Sequence, residues 1–143
     1  MKSSFRHTVI FLGLLGLVLL SSGCANDTKN FAEISNGLAK SINYLGKEPG
    51  ITMTGFASAP DKNLFKVGIG IDRSLMTNER LKQVIQSYLT NVASFTSEHD
   101  PQKMLESYNL QIEEIYKEQN SSRLIAEKPS GSTVINWKNT DAQ

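Results

Sequence analysis

Six places along the chain carry side chains that do chemistry. Cys24 is the single cysteine, and a thiolate is a nucleophile, a metal ligand and an acylation site. His99 lies in the triplet Glu98-His99-Asp100, which offers a general base or a surface metal site. Neighbouring loop residues point in different directions, and a metal site needs three or four converging ligands. Asp100, ahead of Pro101, is better placed to cap a short helix. The triplet is therefore expected as a solvated loop, with no metal. Glu113-Glu114 would have to converge to act as an acid–base pair, but on a strand they point to opposite faces. Gly68-Ile69-Gly70 lacks the helix N-terminus that a phosphate loop requires. Lys128-Pro129-Ser130-Gly131-Ser132 sets a serine near a lysine, but its proline and glycine specify a turn. Tyr116 and Trp137 anchor partners when exposed and fill cores or sheet edges when not.

The elements that must hold these residues follow from apolar spacing. The chain has 143 residues, enough for one domain. Phe31, Ile34, Leu38, Ile42 and Leu45 recur at helical steps. Asp27 or Thr28 is placed to cap that helix, and Gly46 with Pro49 to end it. Ile51 to Ser58 and Leu64 to Asp72 read as strands around the turn APDKN. In the second strand Phe65, Val67, Ile69 and Ile71 face one way. Pairing Ala57 with Phe65 would bury Ile51, Met53, Gly55 and Ala57. Phe56 would then share the other face with Gly68 and Gly70. There it covers Gly68, or the glycines form a shallow groove for a partner's backbone.

Thr77 caps a long helix, with Met76 and Leu81 set for a hydrophobic staple. Leu81, Val84, Ile85, Tyr88, Leu89, Val92 and Phe95 form its apolar stripe. A short helix over Pro101 to Glu106 follows. Tyr108, Leu110 and Ile112 begin a third strand, whose phase breaks at Ile115 and Tyr116. Arg123 to Glu127 and Thr133 to Trp137 are two more strands. The order α-β-β-α-β-β-β predicts a two-layer α+β domain. Its antiparallel sheet has four to five strands, with two helices on one face and a largely polar face opposite.

The N-terminus is of another kind. Lys2 and Arg6 precede twelve apolar or glycine residues, Val9 to Leu20. A bilayer span takes roughly 20, so this run suits the core of an export signal. Ser21, Ser22 and Gly23 are small, and Cys24 follows at once. This junction resembles the lipobox of bacterial lipoproteins, with its leucine one step early at Leu20. The resemblance implies a signal peptide over residues 1–23, cleavage before Cys24 and acylation of the Cys24 sulfur. It also implies attachment to the outer face of the cell membrane, or to the outer membrane of a two-membrane cell. The small, lysine- and asparagine-rich style is similar to envelope lipoproteins of Gram-positive bacteria. Residues 24–28 would form a short tether, 29–137 the domain and 138–143 a polar tail. Extended, the four residues Ala25 to Thr28 span about 14 Å, which keeps the domain against the membrane.

Charge narrows the function further. No acidic residue precedes Cys24, so losing Lys2 and Arg6 turns the formal charge from +1 to −1. That balance excludes an electrostatic nucleic-acid binder. It also argues against anionic lipid as the target, since no polybasic patch adjoins Cys24. The expected function is non-enzymatic: a membrane-proximal protein-binding lipoprotein of accessory, immunity or exclusion type. No cofactor is expected. Phe56, Gly68, Gly70, Tyr116 and Trp137 are the candidate partner-binding residues. A small-ligand carrier with an apolar cavity is the alternative, followed by an envelope hydrolase with convergent carboxylates.

Overall fold

The turn Pro60-Asp61-Lys62-Asn63 sets the first register of the sheet. Pro60–Lys62 form one 3-10 turn, and Asn63 closes it in the left-handed region at φ 46°. Asparagine tolerates that conformation because its short amide bonds locally. The turn joins strand β1, Ile51–Ala59, to strand β2, Leu64–Ile71. Ala59 pairs with Leu64, Ser58 with Phe65 and Phe56 with Val67. The expected Ala57–Phe65 pairing is thus off by one residue, and a one-residue slip flips every side chain. Thr54, Phe56 and Ser58 share the face of Phe65, Val67 and Ile69, not Met53, Gly55 and Ala57. A bulge between Ile51 and Met53 restores Ile51 to the buried side, opposite Ile71.

The computed structural model describes the backbone of residues 22–138 and the side chains of residues 27–138. The expected signal segment, the Cys24 side chain and the tail beyond Lys138 lie outside them. The chain divides into two units, Met1–Phe31 and Ala32–Gln143. Helix α1 spans Ser22–Leu45. It does not begin at Asp27 or Thr28: the backbone is already helical through Cys24, Ala25 and Asn26. No proline or glycine lies between Cys24 and Asn36 to interrupt it. No helix among the described residues is long and apolar enough to cross a membrane.

The second unit is an α+β layer structure. Helix α2, Asn78–Ala93, is capped as expected, with the Thr77 hydroxyl accepting from the Arg80 N–H. Leu81, Val84, Ile85, Tyr88, Leu89 and Val92 are all buried. Phe95 is not: it lies past the helix end, 44% exposed, with Lys40 above its ring. The Tyr88 hydroxyl donates to the Leu38 carbonyl across the two helices. They pack tightly at Gly37, where an added Cβ would meet Val92 at 3.2 Å. Asp100 caps the single-turn helix α3, Pro101–Met104.

Strands β3, Asn109–Tyr116, β4, Ser121–Lys128, and β5, Asn136–Trp137, complete a five-stranded sheet in the order β1-β2-β3-β4-β5. It is mixed, not wholly antiparallel. β2 and β3 run parallel, because α2 and α3 carry the chain back to the starting end of β2. The second hairpin turn repeats the first: a 3-10 turn, Lys117–Gln119, closed by left-handed Asn120 at φ 46°. Phe65, Val67, Ile69, Leu110, Ile112 and Ala126 are buried on the face that the helices cover.

Candidate functional site

The opposite sheet face has no helix on it among the described residues; it carries polar side chains, Lys66, Gln111, Glu113, Ser122 and Glu127 among them, with apolar ones between. Lys66 and Glu113 sit at its middle, with Nζ and Oε1 3.1 Å apart, and Ser122 donates to the second Glu113 oxygen at 2.8 Å. The Ser122 bond holds the Glu113 carboxyl below its ordinary range; burial opposes it, and Lys66 adds to it. The same face carries Met53, Leu64, Ile115 and Leu124, each half-buried. β3 keeps its alternation to the end, so the apparent break in phase resolves simply. Glu114 points inward, Ile115 outward, and the register shift with β4 falls between Ile112 and Glu113.

The glycines on this face do not form a groove. A Cβ on Gly68 would lie 2.5 Å from Ile115 Cδ1, so Ile115 is its cover. Phe56 is not, since the register puts it under the helices, its ring centroid 6.5 Å from that of Phe65. The place of a Gly70 side chain is taken by the Thr52 hydroxyl and Met53. Only Gly55, on β1, faces open space. Gly68 and Gly70 therefore share one face, while Phe56 lies on the other.

Tyr116 and Trp137 stand apart from them. Tyr116 ends β3, half-buried, with its hydroxyl bonded to Glu114; burial and that carboxylate push the phenol up. Trp137 is on β5, with Lys82 Nζ 6.0 Å from its ring centroid. It walls a crevice of about 230 Å³ between α2, α3 and the segment after β4. Ile85, Leu89 and Leu105 line its floor. The five expected partner-binding residues thus spread over both faces of the sheet.

Two buried ions were not visible in the sequence. Glu114, 3% exposed, is held by Arg73 and by Arg123. Burial pushes its carboxyl up, but the two guanidiniums and the Tyr116 hydroxyl outweigh burial and hold it low. Glu113 and Glu114 do diverge to opposite faces, as strand geometry requires. Lys128, 2% exposed, ends β4. Its ammonium donates to the carbonyls of Glu106, Pro129 and Ser132, at 3.3, 2.9 and 2.8 Å. Burial pulls its pKa down, and Glu106 partly offsets this. Ser130 bonds instead to the Ser107 carbonyl, so the serine and lysine of this turn serve different contacts. The only sequence signals were an acidic residue in an apolar phase and a lysine before a proline.

His99 is exposed in the loop after α2, its Nδ1 3.4 Å from the Ala93 carbonyl. Among the described residues no three His, Cys, Asp or Glu side chains are grouped to hold a metal ion. Comparison with family models, with curated proteins and with solved structures finds no match to this chain.

Proposed function

We propose that this chain is a lipid-anchored, extracytoplasmic lipoprotein whose domain binds a protein close to the membrane. The observation that carries the reading is Cys24 itself: the single cysteine, directly after Ser21-Ser22-Gly23 and a twelve-residue apolar run. Two features of the domain favour binding over catalysis. The buried carboxylate and the buried ammonium are both committed to contacts that hold the fold together. The uncovered sheet face mixes half-buried apolar side chains with two ion pairs, Lys66–Glu113 and Glu127–Lys138, the composition of a protein-binding surface. The carrier reading ranks second, because the crevice beside Trp137 is smaller than the roughly 300–1,000 Å³ of ordinary ligand pockets.

The helical backbone from Ser22 onward shortens the reach of the anchor. Ala25 to Thr28 advance about 6 Å as helix, less than half their extended span. Acyl labelling tests the anchor. The wild-type chain is expected to take up labelled fatty acid and to sediment with membranes. Cys24→Ala should do neither once its signal is removed independently. Sedimentation and label retained in that variant would sink the reading. A spacer of about 30 Gly/Ser residues after Asn26, long enough for a flexible coil to lift the domain clear, tests proximity. Cross-linking of the domain to membrane proteins should fall with it.

A further inference from the structure

The crevice beside Trp137 joins an apolar floor to an unneutralised cation. Ile85 and Leu89 of α2 and Leu105, just past α3, make the floor, all three buried. Trp137 forms one wall, and Val134 lines the crevice while 60% exposed. Two lysines line it, and no acidic residue does. The Lys128 ammonium is committed to three backbone carbonyls. Lys82 is different. It is exposed, and its Nζ lies 6.0 Å from the Trp137 ring centroid. Among the described residues it makes no ion pair. Glu79, the acidic residue nearest to it in sequence, does not line the crevice.

We propose that this crevice receives one aromatic side chain of a protein partner, with a neighbouring Asp or Glu of that partner paired to Lys82. The proposal rests on the protein-binding reading and names the chemistry that the partner presents. Size selects the kind of occupant. At about 230 Å³ the crevice falls below ordinary small-molecule pockets, roughly 300–1,000 Å³. Protein interfaces, by contrast, are anchored by single aromatic side chains set in well-packed pockets. The Trp137 ring offers such a side chain an aromatic neighbour. Charge selects what flanks the anchor. A cation with no anion of its own favours a carboxylate there and disfavours a lysine or arginine. Gln86 and Gln102 also line the crevice and are exposed. Their amides match the donors and acceptors of a peptide backbone. The exposed Val134 continues the apolar surface outward, as a site for a larger partner requires.

The test uses the full chain in detergent micelles, labelled with nitrogen-15 at tryptophan. Trp137 is the single tryptophan, so one indole N–H signal reports on the crevice wall. The probes are end-blocked peptides, Gly-Phe-Asp-Gly, Gly-Ala-Asp-Gly and Gly-Phe-Lys-Gly. The first should move that signal saturably. Alanine in place of phenylalanine should weaken binding at least about tenfold, as the loss of a buried aromatic ring predicts. The Phe-Lys peptide should bind about two- to fivefold more weakly than the Phe-Asp peptide, the scale of an exposed ion pair. Lys82→Glu, at an exposed position, should reverse that order, and a gain for Phe-Lys is not something misfolding produces. No saturable shift, or an order that Lys82→Glu leaves unchanged, would overturn the proposal. So would 3-phenylpropionate binding more tightly than the Phe-Asp peptide, which would make the crevice a site for a small free acid. Cross-linking of the domain to membrane proteins that persists while the peptides fail would overturn this site and leave the protein-binding reading standing.

Discussion

Arg73 grips Glu114 with both arms of its guanidinium, Nε 3.0 Å from Oε1 and Nη2 2.7 Å from Oε2. The third nitrogen reaches Asn78 Oδ1, at the start of α2. Arg123, from β4, adds a bond at 3.0 Å. One carboxylate thus fastens the β2–α2 connection and β4 to β3. Such two-pronged, charge-assisted pairs are stronger and more directional than neutral hydrogen bonds.

The pH dependence of stability follows from that clamp. Glu114 titrates below the ordinary glutamate value of 4.5, so the unfolded chain takes up the proton first. The stabilisation is complete above about pH 4.5 and is lost as pH falls through the lowered folded value. Glu114→Gln should cost roughly 1.5–3 kcal/mol at pH 7, the range for hydrogen bonds to charged groups. The gap to wild type should close in acid. Denaturant midpoints at pH 7 and pH 3 would check both; an equal gap at the two pH values would contradict the clamp.

Tyr88→Phe removes one buried hydrogen bond, 3.0 Å long, between α2 and α1. The expected loss is about 1 kcal/mol. Burial raises the Tyr88 phenol well above its ordinary value, so the hydroxyl should stay un-ionised while the fold persists in alkali. A spectroscopic titration should show this tyrosine ionising only on unfolding.

Gly68 and Ile115 should be energetically coupled. Gly68→Ala drives a methyl into Ile115 Cδ1, and overpacking of this kind costs roughly 1–3 kcal/mol. The end of an isoleucine can give way, so the low end of that range is expected. With Ile115→Val the same alanine should cost less. A double-mutant cycle by thermal unfolding measures the difference, and additive effects would mean that the two do not touch.

The Lys128 ammonium closes the turn after β4 by binding three carbonyls. Lys128→Met should keep the packing of the stem and release the turn. The Gly131 N–H, bonded at 2.7 Å to the Glu106 carbonyl, should then exchange with solvent faster than in wild type. Amides in the middle of β3 should change little. Uniform acceleration across the sheet would assign Lys128 to global stability instead.

Core truncation separates the two kinds of position in and after α2. Leu81→Ala or Leu89→Ala should cost roughly 2–5 kcal/mol, as buried leucines do. His99→Ala, in its exposed loop, should stay within about 0.5 kcal/mol of wild type. Urea unfolding of the three variants gives the comparison directly.

Regular spacing made most of this fold legible. The α2 stripe as far as Val92, the Thr77 and Asp100 caps and the turn of the first hairpin rest on local rules, and each is present. Three features escaped because their causes are not local. The Phe56 face depends on the length of the turn, four residues here, and a single-residue slip reverses it. The parallel β2–β3 pairing depends on where the crossover helices deliver the chain. Glu114 and Lys128 read as surface residues by type, yet both are inside, because their partners come from residues far along the chain or from backbone carbonyls. Of the five candidate partner residues, spacing alone placed only Gly68 and Gly70 on the face they occupy. Helix α1 continues through Cys24 because the sequence there has no breaker, a negative signal that is easily overlooked.

The parallel pairing at the sheet's centre also orders events in time. Each hairpin can close within microseconds of its strands becoming available, since its contacts are local. β2 and β3 cannot meet until the whole segment from Asp72 to Tyr108 lies between them. Closing so long a loop slows the search. A chain emerging N-terminus first therefore completes its first hairpin and then waits. During that interval Phe65, Val67 and Ile69 have one strand beside them and no neighbour on the other side. The folding intermediate most exposed to aggregation, and most in need of a holding factor, is thus the chain cut off before Leu110.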